Sequence, residues 1–183
     1  MAAPDIYSNY YITTGYGGWS PCIEGNNYYG LQPFPGSVLP NCVGYTVGRF
    51  NELLGLNACP WLGSVNAKDI YDLARSQGLQ VGNIPRVGGL ICWDAPYPLE
   101  GHCAIIEEVI DNNTVKTSES GWNYTVPPII TEHTRTRVNG DFYYGISYIY
   151  QGIVYPPLSG LDLDYYIMFL NNEGVNYDRR KDF

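Results

Sequence analysis

The sequence is poor in positive charge and in histidine. Ten Lys plus Arg stand against eighteen Asp plus Glu, with two His, a formal net charge of −8 and a pI near 4.5. Clustered Lys and Arg hold phosphate backbones, so this balance argues against nucleic acid as a partner. It equally disfavours adsorption to anionic membranes. The one basic run, Arg179-Arg180-Lys181, reads as a solvated tail. No apolar run approaches the ~20 residues of a membrane span. The opening residues, MAAPDIYSNYY, lack a basic stretch followed by an apolar core, so no secretory leader is expected. There is no CxxC pair, and Cys22, Cys42, Cys59, Cys92 and Cys103 fit no zinc spacing. Free thiols made in a reducing cytoplasm are the expectation. Internal repeats are absent.

What is present is enough for one domain with a core: 183 residues, 45% of them apolar. Eighteen tyrosines suit either an aromatic-lined groove or half-buried strands. Residues 1–40 are rich in Gly, Pro, Tyr and Asn, a long segment for a structureless one, which implies packing against the domain or a functional role. In LPNCVGYTVGRFNELLG, Val43, Val47, Phe50 and Leu54 recur at helical spacing, predicting a helix over 42–54 with Asn41 as cap and Gly55 as stop. Residues 65–77 predict a second helix, capped by Ser64 and ended by Gly78. From residue 87 the period changes: VGGLICW, HCAIIEEVI, TVKTSES and YYGISYIYQGIVY read as strands. Helices first and strands later give an α+β class with an antiparallel sheet. Residues 157–183 read as a tail or linker, in which the apolar YYIMFL is able to dock on the domain or a partner.

Cys42 is oddly placed for a core cysteine. It sits in the first turn of the predicted helix, where the partial positive charge favours thiolate over thiol. A thiolate nucleophile needs a base. His133 lies in the polar alternating TEHTRTR and reads as exposed. His102 begins an apolar strand behind Gly101 and is the better candidate. A third group should hold its ring. HCAIIEEVI and TVKTSES flank Asp111-Asn112-Asn113 and predict a hairpin. With a four-residue turn, 110–113, Glu119 faces Ala104 and lies diagonal to His102, ~7–8 Å away between backbones. With a two-residue Asn112-Asn113 turn, Glu119 faces Ile106, on the same side but farther along. Glu107 falls on the opposite face, and Glu108 lies roughly 20 Å along the strand at ~3.3 Å per residue. Glu119 is therefore the acid selected.

Taken together, NCVGY, VGGLICW, GHCAIIEEV and SESGW resemble the CHAP domain, with GYGGWSPCIEG and LPNCVGY adding likeness to CHAP domains of phage lysins. The resemblance spans residues 8–156. It implies a papain-like fold, with N-terminal helices packed on an antiparallel sheet, and a catalytic domain over 1–156. It implies Cys42 as nucleophile, His102 as general base and acid, and Glu119 as the residue orienting His102, with no cofactor. Asn41 is implied as an oxyanion donor, a role in competition with capping. Many relatives carry Asn two residues after the acid. Here that place is Gly121, and either Asn123 substitutes or the role is absent. Cys103 replaces the usual aliphatic neighbour of the histidine and is expected to face the core. Trp19, Trp93 and Trp122 are candidates to line a substrate groove or to pack at the sheet edge.

The implied activity is hydrolysis of an amide bond in bacterial peptidoglycan by a phage endolysin or virion-associated lysin, made in the host cytoplasm without a leader and acting on the wall. The alternative is a virion tail structural protein that keeps the fold for assembly or wall contact, with other tail proteins as partners. Some phage CHAP domains bind calcium through acidic residues before the cysteine. NNYYGLQPFPGSVLPN has no carboxylate, so no metal is expected there. Wall hydrolysis, followed as turbidity loss, is accordingly expected to survive EDTA. Loss of activity with EDTA and recovery with calcium would contradict this reading.

Overall fold

A computed structural model describes residues 4–8, 10–11, 19–20, 36–37, 39, 41–54, 59–121 and 130–157. The expected tail therefore lies outside the described residues apart from Pro157. Two helices, α1 (Cys42–Leu54) and α2 (Ala67–Ser76), are joined through a short 3-10 helix, Pro60–Ser64. A small ribbon pairs β1 (Trp19–Ser20) with β2 (Gly36–Ser37). The main sheet contains β3 (Val81–Gly82), β4 (Leu90–Asp94), β5 (His102–Asp111), β6 (Thr114–Ser120), β7 (Ile130–Val138), β8 (Asp141–Phe142) and β9 (Ile149–Val154). Its order is β3-β9-β4-β5-β6-β7-β8, and every pairing is antiparallel. This is an α+β arrangement, with the two helices ahead of an antiparallel sheet, as the order of sequence patterns predicts. Among the described residues, no helix is long and apolar enough to cross a membrane.

Helix α1 occupies the residues its apolar stripe predicts. Val43, Val47 and Phe50 pack with Leu62, Ile70, Ala74, Leu90, Cys92, Cys103 and Ile105 between helices and sheet. Each large apolar side chain buried there contributes roughly 1.5–3 kcal/mol. The opposite side of the helix is also covered. Tyr11 stacks on Tyr45 at 6.0 Å, and its hydroxyl donates to Glu52 at 2.8 Å. A Cβ on Gly48 would lie 2.3 Å from the Tyr11 ring, so only glycine admits this packing. The described residues 4–8, 10 and 11 of the N-terminal segment thus dock on the domain, the first of the two readings its length allowed.

Helix α2 begins later than the sequence pattern suggests. Asn66 rather than Ser64 precedes it, and Ser64 instead ends the 3-10 helix that the pattern missed. Ala67, Ile70 and Ala74 form its buried face as read from their spacing. The other face of the sheet has its own core, built from Ile91, Trp93, Ala104, Ile106, Val115, Phe142, Ile153 and Tyr155. With apolar layers on both faces, β4 needs no alternation, and LICW is buried throughout.

The hairpin that carries the candidate base and acid combines the two expected registers. Asp111 faces Thr114, so the tip is the two-residue Asn112-Asn113 turn. Two irregularities, between Ile106 and Glu108 and between Val109 and Asp111, then add residues to β5. Ile105 ends opposite Ser118, and the same register continued puts Ala104 opposite Glu119, the pairing of the longer turn. Two bulges preserve the side-chain parity that one would reverse. Glu107 points to the helix side, where Arg49 Nε donates to it at 2.8 Å. Glu108 pairs with Lys116 in solvent.

Candidate active site

Asn41 and Cys42 start α1. The Asn41 side-chain oxygen accepts from the Gly44 N–H at 2.7 Å, and its backbone carbonyl accepts from Tyr45 N–H at 3.1 Å. The cap fixes the first turn and places the half-buried Cys42 at the helix mouth. Capping uses only the oxygen of the Asn41 carboxamide. The nitrogen is a separate donor, so capping and oxyanion donation do not compete for one atom.

His102 is delivered by the loop before β5. The Lys68 N–H at the start of α2 donates to Glu100 O at 3.0 Å, tying that loop to the helix. Gly101 then adopts φ +78°, and a Cβ there would lie 2.5 Å from Trp93 O and 2.6 Å from Lys68 N. Conformation and space both require glycine immediately before the histidine. Beyond it, the Thr46 hydroxyl donates to Cys103 O at 3.2 Å and locks α1 to β5 beside the site.

The three side chains expected to act together are in one place. His102 Nε2 lies 2.6 Å from Glu119 Oε2, and both residues are buried. On its other side His102 interacts with Cys42, side chain to side chain. Burial opposes the charged ring, but hydrogen bonds to Cys42 and Glu119 outweigh it and raise His102 to about 9. Burial likewise opposes the Glu119 carboxylate, and His102 and Arg135 nevertheless hold it down to about 2. Cys42 is held well below the ordinary thiol range. The Cys103 thiol as hydrogen-bond donor contributes most, and burial opposes it. The bond and charge of His102 then add to the lowering. Both shifts favour the same charge state, thiolate on Cys42 and imidazolium on His102.

A cleft of about 660 Å³ opens over this pair, with Asn41, Cys42, His102, Gly121, Tyr144 and Tyr148 among its walls. Tyr144 stacks on the His102 ring at 4.2 Å, and Tyr148 meets Tyr144 edge-on at 4.5 Å. Both tyrosines come from residues 143–148, which the pattern assigned to a strand. The strand there is confined to Ile149–Val154. Trp93 is corrected as a groove residue: it is fully buried, and its indole N–H donates to Phe142 O at 2.7 Å. Its alternative reading, packing, is the one observed. Only the backbone of Trp19 is described, in β1, while Trp122 and Asn123 lie outside the described residues. His133 is exposed on β7, against Thr131.

Sequence reasoning missed two further contributors. Arg135 Nη2 lies 2.7 Å from Glu119 Oε1. Cys103 is in the core as expected, but its thiol also reaches Cys42. Among the described residues, no three His, Cys, Asp or Glu side chains converge as metal ligands. Most of the segment before Cys42 lies outside the described residues.

Fold and site define a class: an α+β domain with a thiol, an imidazole and a carboxylate in series at a cleft. Residues 32–121 of the chain match the family model of the CHAP domain. Among solved structures, an N-acetylmuramoyl-L-alanine amidase from Staphylococcus aureus is similar at 20% identity with a TM-score of 0.44. That similarity covers 61% of this chain and 30% of the amidase chain. No curated protein matches the sequence.

The Cys103 contact is testable. Cys103→Val removes a donor to the thiolate while filling the same core space, so the pH at which Cys42 is alkylated by iodoacetamide should move upward. An unchanged profile, read on the Cys42 peptide by mass spectrometry, would remove Cys103 from the site.

Proposed function

We propose that this chain is a peptidoglycan hydrolase that cuts an amide bond of the bacterial cell wall by cysteine nucleophilic catalysis. The observation that carries the proposal is the Cys42–His102–Glu119 series at the open cleft, in a chain whose residues 32–121 match the CHAP family model. The Cys42 thiolate attacks the scissile carbonyl carbon. The backbone N–H of Cys42 and the side-chain nitrogen of Asn41, both at the helix N-terminus, are the donors for the oxyanion that forms. His102 Nδ1–H protonates the leaving amine, and a thioester remains on Cys42. His102, now neutral, takes a proton from water, which attacks the thioester and releases the acid product. Glu119 makes no bond to substrate. It accepts from Nε2–H, sets the ring orientation and stabilises the imidazolium.

The setting is part of the same proposal: a phage lysin, free or virion-associated, acting on the wall. It is supported by the likeness of the sequence motifs to CHAP domains of phage lysins. Both N-acetylmuramoyl-L-alanine amidase and endopeptidase chemistry fit the mechanism, and mass spectrometry of digested walls identifies the new termini.

Cys42→Ala is expected to abolish release of wall fragments with the fold intact, and His102→Ala to be as severe. Glu119→Gln should keep partial activity, since an amide still holds the ring. Glu119→Ala should lose more, though less than the ~10⁴ that the orienting residue contributes in serine proteases. His133→Ala should match wild type. If Glu108→Ala, once shown to be folded, proved more damaging than Glu119→Ala, the assignment of the acid would be wrong. Residual lysis by Cys42→Ala above a few per cent would place the nucleophile elsewhere.

A further inference from the structure

Glu119 has two oxygens and only one of them serves His102. Oε2 receives the ring nitrogen at 2.6 Å. Oε1 is held by three donors: Arg135 Nη2 at 2.7 Å, Arg135 Nε at 3.3 Å and the Thr117 hydroxyl at 3.0 Å. Arg135 is itself fixed, with only 12% of its side chain exposed and its guanidinium 4.5 Å from the centroid of the Tyr144 ring. The same Tyr144 ring stacks on His102. Gly121 offers no side chain to the acid, and a Cβ there would meet nothing within 4 Å among the described residues.

The geometry points to Arg135 as a positioning residue of this site: its guanidinium pins one oxygen of Glu119 so that the other is presented to His102. A carboxylate on a two-carbon stem rotates freely unless one oxygen is anchored. A fork with two N–H groups on one oxygen, stacked on an aromatic face, anchors it in a way a flexible ammonium does not. Arg135 lies beyond the residues matched by the CHAP family model, which end at 121. It stands on β7. The inference rests on the proposed roles of Cys42 and His102.

Positioning and mere charge make opposite predictions for His102. The charged and titratable groups bearing on His102 and Glu119 are Cys42 on α1, Arg135 on β7 and Tyr144 after β8. If Arg135 acts only as a nearby positive charge, removing it makes the imidazolium easier to form, and His102 titrates at higher pH. If Arg135 positions Glu119, removing it loosens the Glu119 bond, and His102 titrates lower, moving from about 9 towards its ordinary value of 6.5.

The test is an NMR titration of ¹⁵N-labelled histidine, with His133→Ala leaving one signal. Arg135→Met is expected to move His102 downward and to slow release of peptidoglycan fragments by roughly ten- to a hundredfold, the scale of a small misplacement at a reacting group. Arg135→Lys keeps the charge and loses the fork, so it should move His102 in the same direction by less. An unmoved or upward-moving His102 in folded Arg135→Met would overturn the inference. If Arg135→Met fails to fold, Arg135→Lys decides it, because a charge role alone leaves His102 unmoved. The titration needs no substrate. A shifted His102 in a protein that cuts no wall would overturn the hydrolase reading and leave the positioning role standing. Wild-type titration and rates in the Arg135 variants, with Cys42-dependent hydrolysis, would do the reverse.

Discussion

The 2.6 Å contact between His102 Nε2 and Glu119 Oε2 governs the site because both groups are buried and neither is stable there alone. A buried carboxylate without a cation costs several kcal/mol, and deleting one member of such a pair typically destabilises by about 3–5 kcal/mol. The chain answers this by extending the pair in both directions. Cys42 thiolate, His102 imidazolium, Glu119 carboxylate and Arg135 guanidinium alternate in sign, and each buried charge meets its opposite. Surface pairs such as Lys116–Glu108 and Arg75–Asp72 are exposed to water and salt and carry no comparable constraint.

The rest of the fold delivers these charges to one point. Helix α1 presents Cys42 at its N-terminus because Asn41 caps it and because both of its sides are covered. Gly101 turns the chain into β5 where no other residue fits, and Thr46 fastens that strand to α1. The two bulges in β5 bring Glu119 level with the residues nearest His102 while keeping it on the correct face. A strict two-residue hairpin would have kept the face and lost the distance.

Helix α1, the α+β class, the cysteine, the histidine and the acid were legible because each rests on a local signal: an apolar stripe, a cap, a strand start, the parity of a hairpin. The exact register was not, because bulges leave no mark in HCAIIEEVI. Arg135 was hidden for a different reason. It sits in TEHTRTR, a polar alternating run that reads as solvent-exposed strand, and its partner is fixed only by the pairing of β7 with β6. Tyr144 and Tyr148 sit in a stretch whose aromatic and β-branched residues read as strand, although only its second half pairs. Trp93 reads equally as groove or core from sequence. Sheet layers on both faces of β4 decide for core.

The central claim is that folded protein at neutral pH holds a Cys42 thiolate against a His102 imidazolium. Thiolate absorbance near 240 nm, followed against pH as the difference between wild type and Cys42→Ala, isolates this one sulfur from the other cysteines. The account predicts an inflection well below the ordinary thiol range of about 8.5, which moves up towards it when His102 is replaced by Ala. An inflection at the ordinary thiol value in wild type, insensitive to His102, would contradict it.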